Sequence, residues 1–212
     1  MENEILEATI TLEVGILIPA LPIDEDALWV ERCKAGNPDA FEPLVKKFAG
    51  RIERLVRGIL GDRRLEAEDA VQDVFIKAYT ALPKFRGDAK FSTWLYRIAV
   101  NHCRDIIRRS PPVPVPLDEN LLAAEEAPET EEAGSEEKQV RAEAESSRQL
   151  QKLLGELKES HRSILVMREL EGMSYDEIGK ALGILPGTVR SRLNRARAKL
   201  LRAAEKIRSQ KP

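Results

Sequence analysis

The sequence predicts an all-α protein: two small helical domains joined by a flexible acidic linker, the C-terminal domain a helix-turn-helix. Three observations carry that expectation. Apolar residues recur at i, i+3 and i+4 through nearly every ordered-looking segment, whereas two-residue alternation shows only weakly, over Thr9–Ile16. Pro111, Pro112, Pro114 and Pro116 break the pattern in mid-chain and lead into an acidic run without aromatics. Beyond it, SYDEIGKALGILPGTVR sets capping, turn and helix-start residues at the offsets of two short helices joined tightly.

Taken in order, residues 1–24 form an N-terminal extension that is a candidate for disorder, and residues 25–112 form the first helical domain. Its four expected helices run over Asp26–Ala35, Pro38–Leu60, Glu66–Leu82 and Ser92–Arg109. Gly36-Asn37, Gly61-Asp62 and the loop Pro83–Lys90 separate them. A chain of 212 residues is long enough for each of two domains to bury its own core. No repeat period is visible.

Residues 113–142 are the linker. Val113–Glu145 holds eleven acids and two bases, whereas Thr188–Pro212 holds nine Lys or Arg and one acid. The overall net charge of -2 therefore conceals a basic C-terminus that suits a polyanion and an acidic stretch that stays solvated. Extended, some thirty residues span on the order of 100 Å, so the two domains can sit far apart on one large partner. Those acids either keep the linker extended or mimic nucleic acid.

The second domain covers residues 143–209, with helical period resuming near Ala144 and Leu150, Leu153, Leu154 and Leu157 on one face. Ser174 and Glu177 match a capping box, Ile178, Ala181 and Leu182 form a buried stripe, Gly183 suits a left-handed helix end, and Pro186 fits the first turn of the next helix. At about 100° per residue, Val189, Leu193, Ala196 and Leu200 of that helix share one arc and Arg190, Ser191, Asn194 and Arg195 point away. Arg pairs bidentately with guanine, Asn with adenine, and Ser with either base or phosphate. Arg197, Lys199 and Arg202 suit phosphate contacts. A basic helix is often merely solvated, but this one has almost no acid to pair with.

Two features of the first domain stand out. Helix Glu66–Leu82 buries Ala67, Ala70, Val71, Val74, Phe75 and Ala78, while Ile76 sits in the polar stripe of Asp69, Gln72, Asp73 and Thr80. That is either an interface centre or a lone exposed aliphatic residue. The loop LPKFRGDAKF interleaves Lys84, Arg86 and Lys90 with Phe85 and Phe91, as single-stranded nucleic-acid binding does. Trp94, Leu95 and Ile98 follow helical period and are expected in the core, Arg104, Arg108 and Arg109 follow as a basic tail, and Tyr96 has no assigned place.

EAEDAVQDVFIKAYTALPKFRGDAKFSTWLYRIAVNHCRDIIRR, then a tether, then LKESHRSILVMRELEGMSYDEIGKALGILPGTVRSRLNRARAKL, resembles the two characteristic regions of an extracytoplasmic-function (group 4) sigma factor of bacterial RNA polymerase, in the sigma-70 superfamily. The resemblance covers about Asp26–Arg109 and Glu143–Lys206 and implies roles that spacing alone does not give. Asp69, Val71, Gln72, Asp73 and Ile76 would dock on the clamp helices of the largest core subunit. Lys84, Phe85, Arg86, Lys90, Phe91, Asn101, Arg104, Arg108 and Arg109 would capture the opened −10 element. Thr188, Arg190, Ser191, Asn194, Arg195, Arg197 and Lys199 would bind the −35 element, with Asn194 departing from the aromatic or His of some relatives. The flap of the second-largest subunit would hold the C-terminal domain, the linker would enter the polymerase channel, and an anti-sigma factor is a further implied partner.

No Walker A loop is present, and His102 and His161 sit in no metal-ligand pattern, so no enzyme activity, cofactor or metal is expected. The only thiols, Cys33 and Cys103, form no CxxC pair. Glu2, Glu4 and Glu7 stand where a secretory signal would be basic, and Glu13 and Pro19 cut the apolar run. A cytoplasmic protein is expected. The alternative is a conventional helix-turn-helix regulator with a ligand-sensing or dimerising N-terminal domain, which has no need of the basic, aromatic stretch at 84–109.

Overall fold

A computed structural model describes residues 10–11, 17–18, 24–61, 63, 66–109, 146 and 149–209. The linker at 113–142 and most of the extension lie outside the described residues. Helix α1 (Glu25–Lys34) opens at Asp24, whose carboxylate accepts from the N–H groups of Asp26 and Ala27. The expected single helix from Pro38 is two elements instead, a 3₁₀ turn over Pro38–Phe41 and α2 (Glu42–Leu60). Pro43 is the reason: with no N–H to give to Asp39, it fits only in the first turn of a new helix. Helices α3 (Ala67–Ala81) and α4 (Phe91–Arg109) follow, within one residue of the expected starts and ends.

In the C-terminal part, 149–155 are helical (α5), followed by α6 (Glu159–Leu165), α7 (Tyr175–Leu182) and α8 (Pro186–Ser209). Leu154 and Leu157 are buried, but Leu150 is exposed. Val166–Leu170 continues α6 as a wider π turn, and the Glu171 N–H closes it on the carbonyl of Val166. Near the N-terminus, Ile10–Thr11 pairs antiparallel with Leu17–Ile18, two residues from each strand, inside and just beyond the stretch of weak alternation. This ladder is too short to alter the all-α class.

The described helices share one apolar core, from Val30 and Phe48 through Leu95 and Val100 to Val166, Ile178 and Leu193. Both helical groups contribute, so in this conformation they are packed together rather than held apart. A Cβ on Gly58 of α2 would stand 2.9 Å from a methyl of Val166, so only glycine lets the π turn approach this closely. Arg162 of α6 donates to the carbonyl of Ile59 at 2.9 Å and to those of Gly155 and Leu157 at 2.9 and 3.0 Å, tying the ends of α2 and α5 together.

Candidate nucleic-acid interface

On α3, the apolar stripe of Ala67, Ala70, Val74, Phe75 and Ala78 faces the core. Asp69, Gln72, Asp73 and Ile76 are exposed together, with Ile76 62% accessible, and Val71 is half-buried at the edge of the core rather than inside it. His102 of α4 lies behind this face, with Nδ1 against the ammonium of Lys77 and Nε2 3.2 Å from Asp73 Oδ2 without hydrogen-bond geometry. Burial and then the neighbouring Lys77 charge hold its pKa below the usual imidazole value, outweighing the pull of Asp73 and Asp105. The histidine therefore supports the α3 face in its neutral form.

The loop before α4 presents Lys84, Arg86 and Lys90 to solvent. Its rings do not follow. Phe91 is only 3% exposed and is wedged against Phe48, Phe85 and Trp94, with ring centroids 5.6, 6.2 and 5.7 Å away. Phe85 is half-buried, its ring tilted against that of Trp94 with centroids 5.0 Å apart and under the ammonium of Lys34. Trp94 and Ile98, expected in the core, are half-buried at its rim, whereas Leu95 is fully buried. Within α4, Phe91, Leu95 and Tyr96 fall on the face packed into the core, and Trp94 falls at its margin.

Further along α4, Asn101, Arg108 and Arg109 are exposed, and Arg108 pairs with Asp105 at 3.0 Å. Arg104 points elsewhere: its Nε donates to Glu159 Oε1 of α6 at 2.9 Å. Cys103 beside it is buried, and burial followed by the Glu159 charge pushes its thiol up to about 12, which removes it as a nucleophile.

The helix-turn-helix matches its sequence signals closely. Ser174 and Glu177 form the reciprocal capping box, which with the nearby Lys90 holds the Glu177 carboxyl below its ordinary pKa. Gly183 ends α7 in the left-handed region at φ +67°. Val189, Leu193 and Ala196 are fully buried and Leu200 partly so, while Arg190, Ser191, Asn194, Arg195 and Lys199 are exposed, and Thr188 is half-buried at the first turn. The guanidinium of Arg190 lies 5.9 Å from the ring centroid of Tyr175. Arg197 is already engaged, donating to Glu169 Oε1 at 3.0 and 2.6 Å, which raises its pKa further.

Two residues that sequence reasoning missed bind the halves together. Tyr96 is 2% exposed and its hydroxyl donates to Glu171 Oε2 at 2.9 Å. Glu171, whose side chain is fully buried, also accepts from Nε of Arg51 at 3.3 Å and Nε of Arg54 at 3.2 Å. A charged residue in RELEGM carries no local mark of burial, because its partners lie 75 to 120 positions away. Among the described residues, no group of His, Cys, Asp and Glu is arranged to hold a metal, and no helix is long and apolar enough to cross a membrane.

Comparison with known proteins places two family matches on these surfaces: Sigma-70 region 2 over residues 41–110 and Sigma-70, region 4 over residues 147–200. The RNA polymerase sigma-H factor of Pseudomonas aeruginosa is 35% identical over 188 residues, covering 87% of this chain and 96% of that protein. The ECF RNA polymerase sigma-E factor of Escherichia coli K12 is 36% identical over 178 residues, covering 81% and 90%. The structure of CnrH in complex with the cytosolic domain of CnrY is similar with a TM-score of 0.64 at 28% identity, over 86% of this chain and 99% of that one. The sigma factor RpoE in complex with the anti-sigma factor NepR from Bartonella quintana shares the fold, with a TM-score of 0.56 at 19% identity over 78% and 96% of the two chains.

Proposed function

The chain belongs to the extracytoplasmic-function branch of the sigma-70 family, a sigma factor directing promoter-specific initiation by RNA polymerase, and from that premise we propose how its surfaces divide the work. The observation that carries the reading is the pair of region 2 and region 4 matches, in that order, on helices that present separate polar faces. Residues 25–112 act as the core-binding and −10 unit and residues 143–209 as the −35 unit, joined through the linker at 113–142. The protein works in the cytoplasm and performs no catalytic step.

The α3 face of Asp69, Val71, Gln72, Asp73 and Ile76 docks on the clamp helices of the largest core subunit. Its apolar centre within a polar rim is the composition of a protein interface. The groove floored by Leu150, Leu154, Leu165 and Leu200, with Glu169 and Arg197 beside it, receives the flap of the second-largest subunit. Arg190, Ser191, Asn194 and Arg195 enter the −35 major groove, with Thr188, Arg197 and Lys199 on the backbone.

Lys84, Arg86, Lys90, Asn101, Arg104, Arg108 and Arg109 hold the opened −10 strand, and capture of unstacked bases offsets the cost of unpairing them. The burial of Phe91 shifts its role to shaping the loop, leaving the partly exposed Phe85 as the ring available to a base. An anti-sigma factor is a further partner of this chain, in keeping with the complex recorded for RpoE with NepR.

Run-off transcription with purified core polymerase tests the reading. Promoter-specific transcripts and co-elution with core are expected, and Asp73→Ala should weaken co-elution while leaving DNA contacts intact. A protein that neither co-elutes nor initiates would be a conventional helix-turn-helix regulator instead.

A further inference from the structure

Three groups lie against the ring of Phe85, the one left to a base. Phe91 meets it nearly at right angles, with centroids 6.2 Å apart, and Trp94 tilts against it at 5.0 Å. Both belong to α4, Phe91 buried and Trp94 at the rim of the core, so neither leaves the ring without moving that helix. The third is the ammonium of Lys34, 5.6 Å from the ring centroid and carried on a separate element, the last turn of α1. Among the described contacts, only this one is exchanged by rotating a flexible side chain.

Lys34 is not held there by its own helix. Its Nζ also donates to Glu31 Oε1 at 2.9 Å, an i, i+3 surface pair of a kind that contributes little. Yet the Lys34 side chain is only 23% exposed, against 70% for Glu31, so its stem lies along the protein and its charge stops at the ring. Arg32 in the same turn is held in a similar way, its guanidinium 4.8 Å from the ring centroid of Trp29. Helix α1 packs against the 3₁₀ turn Leu82–Lys84 that opens the −10 loop. The end of α1 therefore adds Arg32 and Lys34 to the basic rim that Lys84 and Arg86 form around Phe85.

We propose that Lys34 is a further −10 strand-binding residue: a cationic cover on Phe85 that exchanges the ring for the phosphate of the captured nucleotide. The proposal rests on the assignment of the loop at 84–91 to the opened strand and of Phe85 to base stacking. In the absence of DNA the ammonium occupies the ring and satisfies its negative face. A base that stacks there displaces it and brings a phosphate of its own, to which the freed ammonium is a point contact. Lys34 then contributes only when base and phosphate arrive together. Lys84 and Arg86, which cover no ring among the described contacts, attract the backbone whether or not a base is stacked.

The test uses holoenzyme reconstituted from purified core polymerase. It is bound to a fork-junction duplex whose single-stranded arm carries the non-template −10 stretch of a promoter that yields a run-off transcript, and to the same fork with abasic residues along that arm. Fluorescence anisotropy reads both affinities across a salt series, and co-elution checks that core binding is equal. Lys34→Met removes the charge and keeps most of the stem. It should weaken the intact fork roughly three- to ten-fold and flatten log K against log salt by about 0.7, the loss of one single-strand phosphate contact, while changing the abasic fork less than about two-fold. Lys34→Arg should retain affinity for the intact fork. Equal losses on both forks make Lys34 a diffuse charge, and no loss on either makes it a partner of Glu31 alone; each overturns the exchange. Phe85→Leu should weaken the intact fork and spare the abasic one. If it leaves the intact fork unchanged, the assignment of Phe85 to a base has failed, separately from the role of Lys34.

Discussion

Replacing Tyr96 by Phe removes one oxygen atom from the centre of the contact between the two helical groups. The hydroxyl is the donor to Glu171 Oε2 at 2.9 Å, both side chains are buried, and the remaining donors to that carboxylate, Arg51 and Arg54, are half open to solvent at 3.3 and 3.2 Å. A hydrogen bond to a charged group contributes about 1.5–3 kcal/mol, and the ring itself stays in place, so no cavity term is added. For a chain of this size each kcal/mol moves the melting temperature by about 2–4 °C, so Tyr96→Phe should lower it by roughly 3–12 °C. Calorimetry of the wild type, Tyr96→Phe, Glu171→Gln and the double variant would measure the coupling, expected at 1 kcal/mol or more. Burial and the Glu171 charge push the phenol well above its ordinary pKa, so the stability it confers is complete below about pH 10 and lost as pH rises beyond it. Tyr96→Phe should lack that alkaline loss. An unchanged melting temperature together with zero coupling would refute the role given to this contact.

Other expectations are read in separate assays. Arg190→Ala should weaken −35 duplex binding by about 1–3 kcal/mol, roughly five- to 150-fold, and relax base preference there, as competition with altered duplexes would show. Gly179→Ala should cost about 1–3 kcal/mol and impair duplex binding while leaving core binding intact, because the added Cβ would meet the backbone oxygen of Ile184 at 2.8 Å and force the turn between α7 and α8 open. His102 is held neutral by burial and by Lys77, so the unfolded chain takes up its proton first as pH falls below about 6.5 and stability declines from there. Between pH 7.5 and 5.5 the wild type should therefore lose more melting temperature than His102→Gln does.

The helix-turn-helix was legible residue by residue because its determinants are local. A capping box, a left-handed glycine and a proline at a first turn each act within four residues, and the apolar arc of α8 follows from helical period alone. The exposed face of α3 was legible for the same reason, and the break at Pro43 is the one local signal that sequence reading passed over. Tyr96 and Trp94 mark where that legibility stopped. Both lie on one helix, and which of the two is buried depends on what packs across it.

The sequence by itself therefore determined most of the helices, the exposed polar face of α8 and the basic, aromatic loop, since period, caps and charge are properties of short windows. Only the tertiary structure decided that Tyr96 and Glu171 meet, that Phe91 turns inward, and that Arg104 is paired with Glu159. Those outcomes depend on partners tens of residues away, and a buried carboxylate looks like any other glutamate until the arginines and the tyrosine that satisfy it have been brought around it.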